Sequence, residues 1–302
     1  MAFTAKDVQA LREKTGCGMM DCKNALKETD GNMEAAIDYL REKGLASQAK
    51  KASRVAAEGQ VVALVEGEVA AVIEVNSETD FVAGNDEFKA FVNLCAKAVI
   101  ANNPADVDAL LASIYEGKTV SEYKEDIFLK FRENIQIRRF VRIEGKAVSY
   151  VHAGGKIGVL VELATDLPMS DALVAMGKNV AMQVAAMNPG YLDQASVPAE
   201  DLDKEKAILV AQMKEDPKMA NKPEAVLAKI VDGKIGKFYK ENCLVEQQYV
   251  IDGDLTVGKY VESVAKAIGT PVKIASYVRF EKGEGIEKRV DDFAAEVAAM
   301  AK

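Results

Sequence analysis

The residues able to carry chemistry in this chain are few and scattered. His152 is the only histidine, within the stretch YVHAGGKIG. A Ser-His-Asp or Cys-His arrangement needs a nucleophile beside the ring and a third group to orient it, and no nucleophile-elbow sequence is present, so His152 reads as a structural or interface residue. Cys17, Cys22, Cys95 and Cys243 are dispersed, and the Cys17/Cys22 spacing has no matching second pair, so neither a zinc site nor a disulfide framework follows. The stretch GDLTVGKY, residues 253–260, matches a phosphate loop as far as Lys259. Tyr260 then stands where magnesium needs a Ser or Thr hydroxyl, and a turn into a helix explains the same residues. Gly154, Gly155 and Gly158 fit a hairpin turn rather than a dinucleotide-binding loop. No active site assembles, and neither a cofactor nor a metal is expected.

What stands out instead is SETDFVAGND, residues 77–86, where Phe81 lies among acidic and turn-forming residues. An apolar run, 69–75, precedes it and a helical pattern, 87–101, follows it. Loops tend to carry function, but a single apolar residue there ordinarily folds back onto its own core. That is the expectation on local grounds.

The elements that would position these residues begin with a compact three-helix module, residues 4–43. Thr4 caps the first helix, TGCG at 15–18 breaks it, a second spans 19–28, and a third spans 33–43 and ends at Gly44. LASQAKKASR, 45–54, reads as a linker or an exposed helical extension. Next come two versions of one supersecondary unit. Residues 61–65 and 69–75 form a hairpin in the first, 147–151 and 157–163 in the second. Each second strand leads to Thr-Asp (Thr79-Asp80, Thr165-Asp166), a loop, a helix and an Asn-Pro stop. Amphipathic patterns at 199–214 and 223–240 predict a projecting helical hairpin. A strand at 244–251, a helix at 257–268, a strand at 272–280 and a last helix at 290–301 complete the chain. Hairpins mixed with helices, rather than regular alternation, define an α+β class. The organisation is a module and linker at 1–54, a first core subdomain at 55–140, a second at 141–280 with the helical hairpin inserted at about 190–240, and a C-terminal segment at 281–302.

The chain has 302 residues, 49% hydrophobic, with 47 acidic against 39 basic side chains and a formal net charge of -8. That is ample for a buried core and argues against direct nucleic-acid binding, which rests on Lys and Arg. No apolar run approaches the roughly 18 residues of a membrane span, and MAFTAKDVQA lacks the features of a signal peptide. The expected location is the cytoplasm.

Five separated motifs, LREKTGCGMMDCKNAL at 11–26, VNSETDFVA at 75–83, NIQIRR at 134–139, HAGGKIGVLV at 152–161 and RFEKGEGIEK at 279–288, closely resemble bacterial elongation factor Ts. The resemblance spans nearly the whole chain in order. It implies a ubiquitin-associated-like N-terminal module and a non-enzymatic role in protein biosynthesis as guanine-nucleotide exchange factor for elongation factor Tu. It also implies that Thr79, Asp80, Phe81 and Val82 form the partner-binding tetrad. Phe81 would insert between helices of the partner's GTPase domain beside the magnesium and phosphate site, while Asp80 supports the loop or meets partner polar groups. Met19, Met20 and Lys23 are implied contacts of the N-terminal module, and His152 lies in a hairpin loop that approaches the partner. A homodimer through the helical hairpin is compatible with this reading. An adaptor that binds proteins only through the N-terminal helices is the competing one.

Overall fold

In the computed structural model, residues 3–215 and 224–287 are described. The expected last helix, 290–301, lies outside them, as does the tip of the helical hairpin. The first three helices are α1 (Ala5–Thr15), α2 (Met19–Glu28) and α3 (Met33–Lys51). Thr4 and Asp7 form a reciprocal capping box at the start of α1, Gly16 ends it in the left-handed conformation, and Asn32 caps α3. Val8, Leu11, Cys22, Leu26 and Leu40 make a small core. The rest of the chain completes it with Leu129.

One expected boundary is corrected. The third helix runs on to Lys51 instead of stopping at Gly44. Gly44 is not a cap, because a methyl group there would collide with Leu129. Its missing side chain lets α3 lie close against the helix that carries Leu129, and the favourable packing outweighs glycine's poor helix propensity.

The body has two three-stranded antiparallel sheets. The first pairs β1 (Glu58–Glu66), β2 (Val69–Ser77) and β5 (Gln136–Glu144) in the order β1-β2-β5. Between β2 and β5 run α4 (Asp80–Gly84), α5 (Asp86–Asn102), α6 (Val107–Ala112), a minimal hairpin of β3 (Ile114–Tyr115) and β4 (Lys118–Thr119), and α7 (Val120–Phe131). The second sheet has the order β6-β7-β8, from β6 (Ala147–His152), β7 (Ile157–Ala164) and β8 (Lys273–Glu281). After β7 come α8 (Asp171–Met187), the antiparallel pair α9 (Ala199–Glu215) and α10 (Glu224–Asn242), and α11 (Val257–Ile268).

The two sheets face one another. Val61, Ala63, Ala70 and Val72 of the first meet Ala147, Leu160 and Phe280 of the second. On the outer faces, Ala71, Ile73 and Val75 pack against α5, while Val159, Val161 and Leu163 pack against α8. Helix, sheet, sheet and helix are thus stacked in layers. The central strands β2 and β7 are covered on both faces and read as unbroken apolar runs rather than alternating ones.

The internal repeat is real in the fold and differs in detail from the sequence match. Helices α5 and α8 each have 17 residues and each ends on a left-handed asparagine, Asn103 (φ 46) and Asn188 (φ 44). Both central strands carry a register shift, after Glu74 and after Glu162. From Glu74 to the helix start at Asp86 is 12 residues, whereas from Glu162 to Asp171 is 9. The first unit therefore holds three extra residues, close to one helical turn. Thr79 and Thr165 are not structural equivalents. Thr79 caps α4, whereas the Thr165 hydroxyl caps no helix and accepts a turn hydrogen bond from the Leu167 amide.

The segment 244–251 is not a strand. It begins with a 3-10 turn, Leu244–Glu246, and then follows the side chain of Gln183. The Gln183 amide donates to Gln247 Oε1 and the Gln248 carbonyl, both at 3.1 Å, and its oxygen accepts from the Val250 amide at 2.9 Å. A buried side-chain amide serves the backbone groups that a neighbouring strand would otherwise satisfy.

Candidate protein-interaction site

Helix α4 occupies the three-residue excess of the first unit. It has five residues, too few to be stable on propensity alone, so neighbouring groups must hold it. Thr79 has extended backbone angles, and its hydroxyl accepts from the Val82 amide at 3.3 Å while donating to Glu133 Oε1 at 2.6 Å. Val82 and Ala83 turn inward and are buried, and Val82 joins the core built on α5. Asp80 and Phe81 face outward. Phe81 is 87% exposed, the most exposed of the large apolar side chains among the described residues. The local expectation of a phenylalanine folded onto its own core is thereby overturned. Val82 takes the inward position of the turn and leaves Phe81 on the opposite side.

The far end of α4 is tied to β1. Gln60 Nε2 donates to the Ala83 carbonyl at 2.9 Å. On its other side Gln60 touches the turn between β6 and β7, where the Gly155 carbonyl accepts from the Val61 amide at 2.8 Å. Gly155 has φ 98, and a side chain there would overlap Gln60 Oε1. His152 stands exposed at the edge of the same turn, its Nδ1 2.9 Å from the Tyr150 hydroxyl. The Phe81 helix and the His152 hairpin, one from each unit, are therefore joined through Gln60.

Met19, Met20 and Lys23 lie exposed on α2, in the N-terminal helices and apart from the tetrad. The two regions meet at consecutive residues. Arg132, the left-handed cap of α7, grips Asp21 of α2 at 2.9 Å, and Glu133 holds Thr79. Sequence reasoning missed both Gln60 and Glu133. Glu133 stands one residue before the NIQIRR motif, but its partner lies 54 residues away and no local signal links them.

The residues that resembled other chemistry are absorbed by the fold. Thr256 caps α11, accepting from the Lys259 amide, and Gly258 lies within that helix, where an added side-chain carbon would come within 3.0 Å of the Val245 carbonyl. The GDLTVGKY stretch is thus a turn leading into a helix. All four cysteines are buried free thiols. Burial pushes the Cys243 thiol up to about 11, which leaves it protonated and unreactive at neutral pH. Among the described residues no helix is long and apolar enough to cross a membrane.

The fold and site define an α+β protein built on a repeated hairpin-helix unit that presents one clamped, solvent-facing aromatic turn. The family described as Elongation factor TS matches residues 78–284, which include α4 and end where the chain passes β8. Over 100% of both chains the sequence is 51% identical to the elongation factor Ts of Syntrophotalea carbinolica. It is 47% identical to that of Magnetococcus marinus over 99% of each chain, and 49% identical to that of Clostridium kluyveri over 98% of this chain and 97% of the relative. The chain belongs to the elongation factor Ts family and is a translation elongation factor.

Proposed function

We propose that this protein binds elongation factor Tu carrying GDP and speeds the release of that GDP so that GTP can replace it, acting in the cytoplasm through binding rather than bond chemistry. The observation that carries the reading is Phe81, 87% exposed on a turn whose Thr79, Val82 and Ala83 are held by hydrogen bonds. Asp80 and Phe81 meet the partner, Val82 anchors the turn, and Thr79 caps it. Met19, Met20 and Lys23 form a second contact, and the His152 hairpin a third.

Tight GDP binding rests on backbone groups around the phosphates and on magnesium, which neutralises their charge. A wedge that displaces the elements supporting that site weakens both. Burying Phe81 would contribute about 1.5–3 kcal/mol, part of the cost of the distorted state, and the other contacts supply the remainder. Coupling is reciprocal, so whatever factor this protein takes from GDP affinity, GDP takes from its own. The complex with both bound is then short-lived, as exchange requires.

The deciding experiment is release of labelled GDP from elongation factor Tu with and without the protein. Acceleration by wild type that is lost in Phe81→Ala supports the wedge. Acceleration that survives that change but is lost on substituting Met19 and Met20 supports action through the N-terminal helices alone.

A further inference from the structure

Glu133 and Glu78 form a reciprocal clasp at the base of the Phe81 turn. Glu133 Oε2 accepts from the backbone amides of Glu78 and Thr79 at 3.1 and 3.0 Å, and its Oε1 accepts from the Thr79 hydroxyl at 2.6 Å. In return Glu78 Oε1 accepts from the Asn134 amide at 2.7 Å, and its other oxygen pairs with Arg54 at 3.3 Å. The flanking residues reach elsewhere. Arg132 holds Asp21 of α2, while the Asn134 side chain donates to the carbonyls of Ala52 and Arg54, between α3 and β1.

We infer that Glu133 is a positioning residue for exchange, holding the Thr79–Val82 turn in its presenting conformation, and that the run Arg132-Glu133-Asn134 fixes that turn relative to the N-terminal helices. The inference rests on the exchange function proposed above. Its physical basis is entropy. Ordering a free residue costs conformational entropy, and five residues are below the length at which a helix sustains itself. A turn left loose would have to be ordered when the partner binds, which subtracts from the binding available to distort the nucleotide site. Charge-assisted hydrogen bonds to a carboxylate are among the stronger fixings available, and here three converge on one side chain. Glu133 belongs to none of the apolar cores and is only half-buried, so its loss should loosen the turn without unfolding the body.

The test measures GDP release from elongation factor Tu across a range of factor concentrations for wild type, Glu133→Ala, Glu133→Gln, Phe81→Ala and Glu133→Ala/Phe81→Ala. Amide hydrogen exchange over residues 79–83 is followed in the free proteins. Glu133→Ala is expected to lower the acceleration about tenfold, the effect of having to order roughly one freed residue on binding, and to speed exchange at residues 79–83 but not in β2 or α5. Glu133→Gln keeps an acceptor oxygen and recovers part of the loss. In the double variant the second substitution adds little, because a turn without its aromatic has lost most of what it positions. Wild-type acceleration by Glu133→Ala, or losses that simply multiply in the double variant, would overturn the inference. If Glu133→Ala does not fold, Glu133→Gln carries the same comparison. Should wild type fail to accelerate GDP release at all, the exchange reading falls. Hydrogen exchange still judges the clasp in that case, since unchanged protection at residues 79–83 rules it out.

Discussion

Gln60 Nε2 donates to the Ala83 carbonyl at 2.9 Å, and through this bond the turn that carries Phe81 is fastened to the first strand of its own sheet and, by way of Gly155, to the hairpin of the other. The exposed aromatic is therefore mounted on both halves of the body. Substitutions on either half are expected to reach it.

Phe81→Ala and Val82→Ala separate presentation from packing, since Phe81 faces solvent while the next side chain, Val82, is buried. Phe81→Ala is expected to leave the melting temperature almost unchanged, a surface substitution shifting stability by about 0.5 kcal/mol or less. Stimulated GDP release should fall by about tenfold or more, the equivalent of 1.5 kcal/mol or above. Val82→Ala should instead cost about 2 kcal/mol of stability through lost buried methyl groups. Thermal melts and GDP-release rates on the two variants decide it, and a large fall in the melting temperature of Phe81→Ala would mean that the ring packs on its own protein.

Gly155→Ala should damage exchange from the opposite unit. The added methyl group meets Gln60 Oε1, so Gln60 must move away from Ala83. A residue held at φ 98 also strains any L side chain, at about 1–3 kcal/mol. Combining Gly155→Ala with Gln60→Ala relieves the collision, so the double variant should lose less stability than the sum of the single losses. Additive losses in chemical denaturation would show that Gln60 is not the joint.

Magnesium distinguishes gripping from dismantling. If the turn acts by disturbing magnesium coordination in the partner, removing the ion already supplies part of the weakening, and the added acceleration should shrink in chelator. Phe81→Ala should lose most of the magnesium-sensitive part. Equal fold-acceleration at every magnesium concentration, for both proteins, would exclude this mechanism while leaving exchange intact.

Acid should loosen the junction between the sheets and the chain beyond β8. Glu74 is fully buried. Burial alone would raise its pKa, but the Gly283 amide at 2.7 Å, Arg139 at 2.7 Å and Asn76 at 3.1 Å more than offset that and hold the carboxyl below its ordinary value. A depressed carboxylate contributes stability that is fully present above the unfolded pKa of about 4.3 and is lost as pH falls through the lower folded value. Melting temperature should thus be flat from this source near neutrality and decline below about pH 4. Glu74→Gln should lose about 1–2 kcal/mol at pH 7, since Arg138 and Arg139 then face a neutral acceptor in place of a carboxylate, and should show a shallower acid decline. An unchanged acid slope in that variant would assign the decline to other groups.

The sequence by itself determined the elements whose causes are local. Thr4 announces a helix start because a cap acts within three residues, and the apolar runs of β2 and β7 announce strands. The duplication was legible because two copies repeat one order of elements, and the motifs pointed to the family. Tertiary structure decided what depends on distant partners. Segment 244–251 lost its strand to Gln183, more than 60 residues earlier, and α3 passed through Gly44 because Leu129 lies against it. The direction of Phe81 was misjudged from SETDFVAGND, where local grounds favoured a ring folded onto its own core and the folded protein exposes it. Three extra residues between strand and helix, Val82 taking the inward place, and Glu133 and Gln60 holding the two ends of the turn set that direction. Hydrogen bonds and packing across such separations leave no periodic trace in a sequence, because each partner is chosen by the folded geometry and not by its neighbours along the chain.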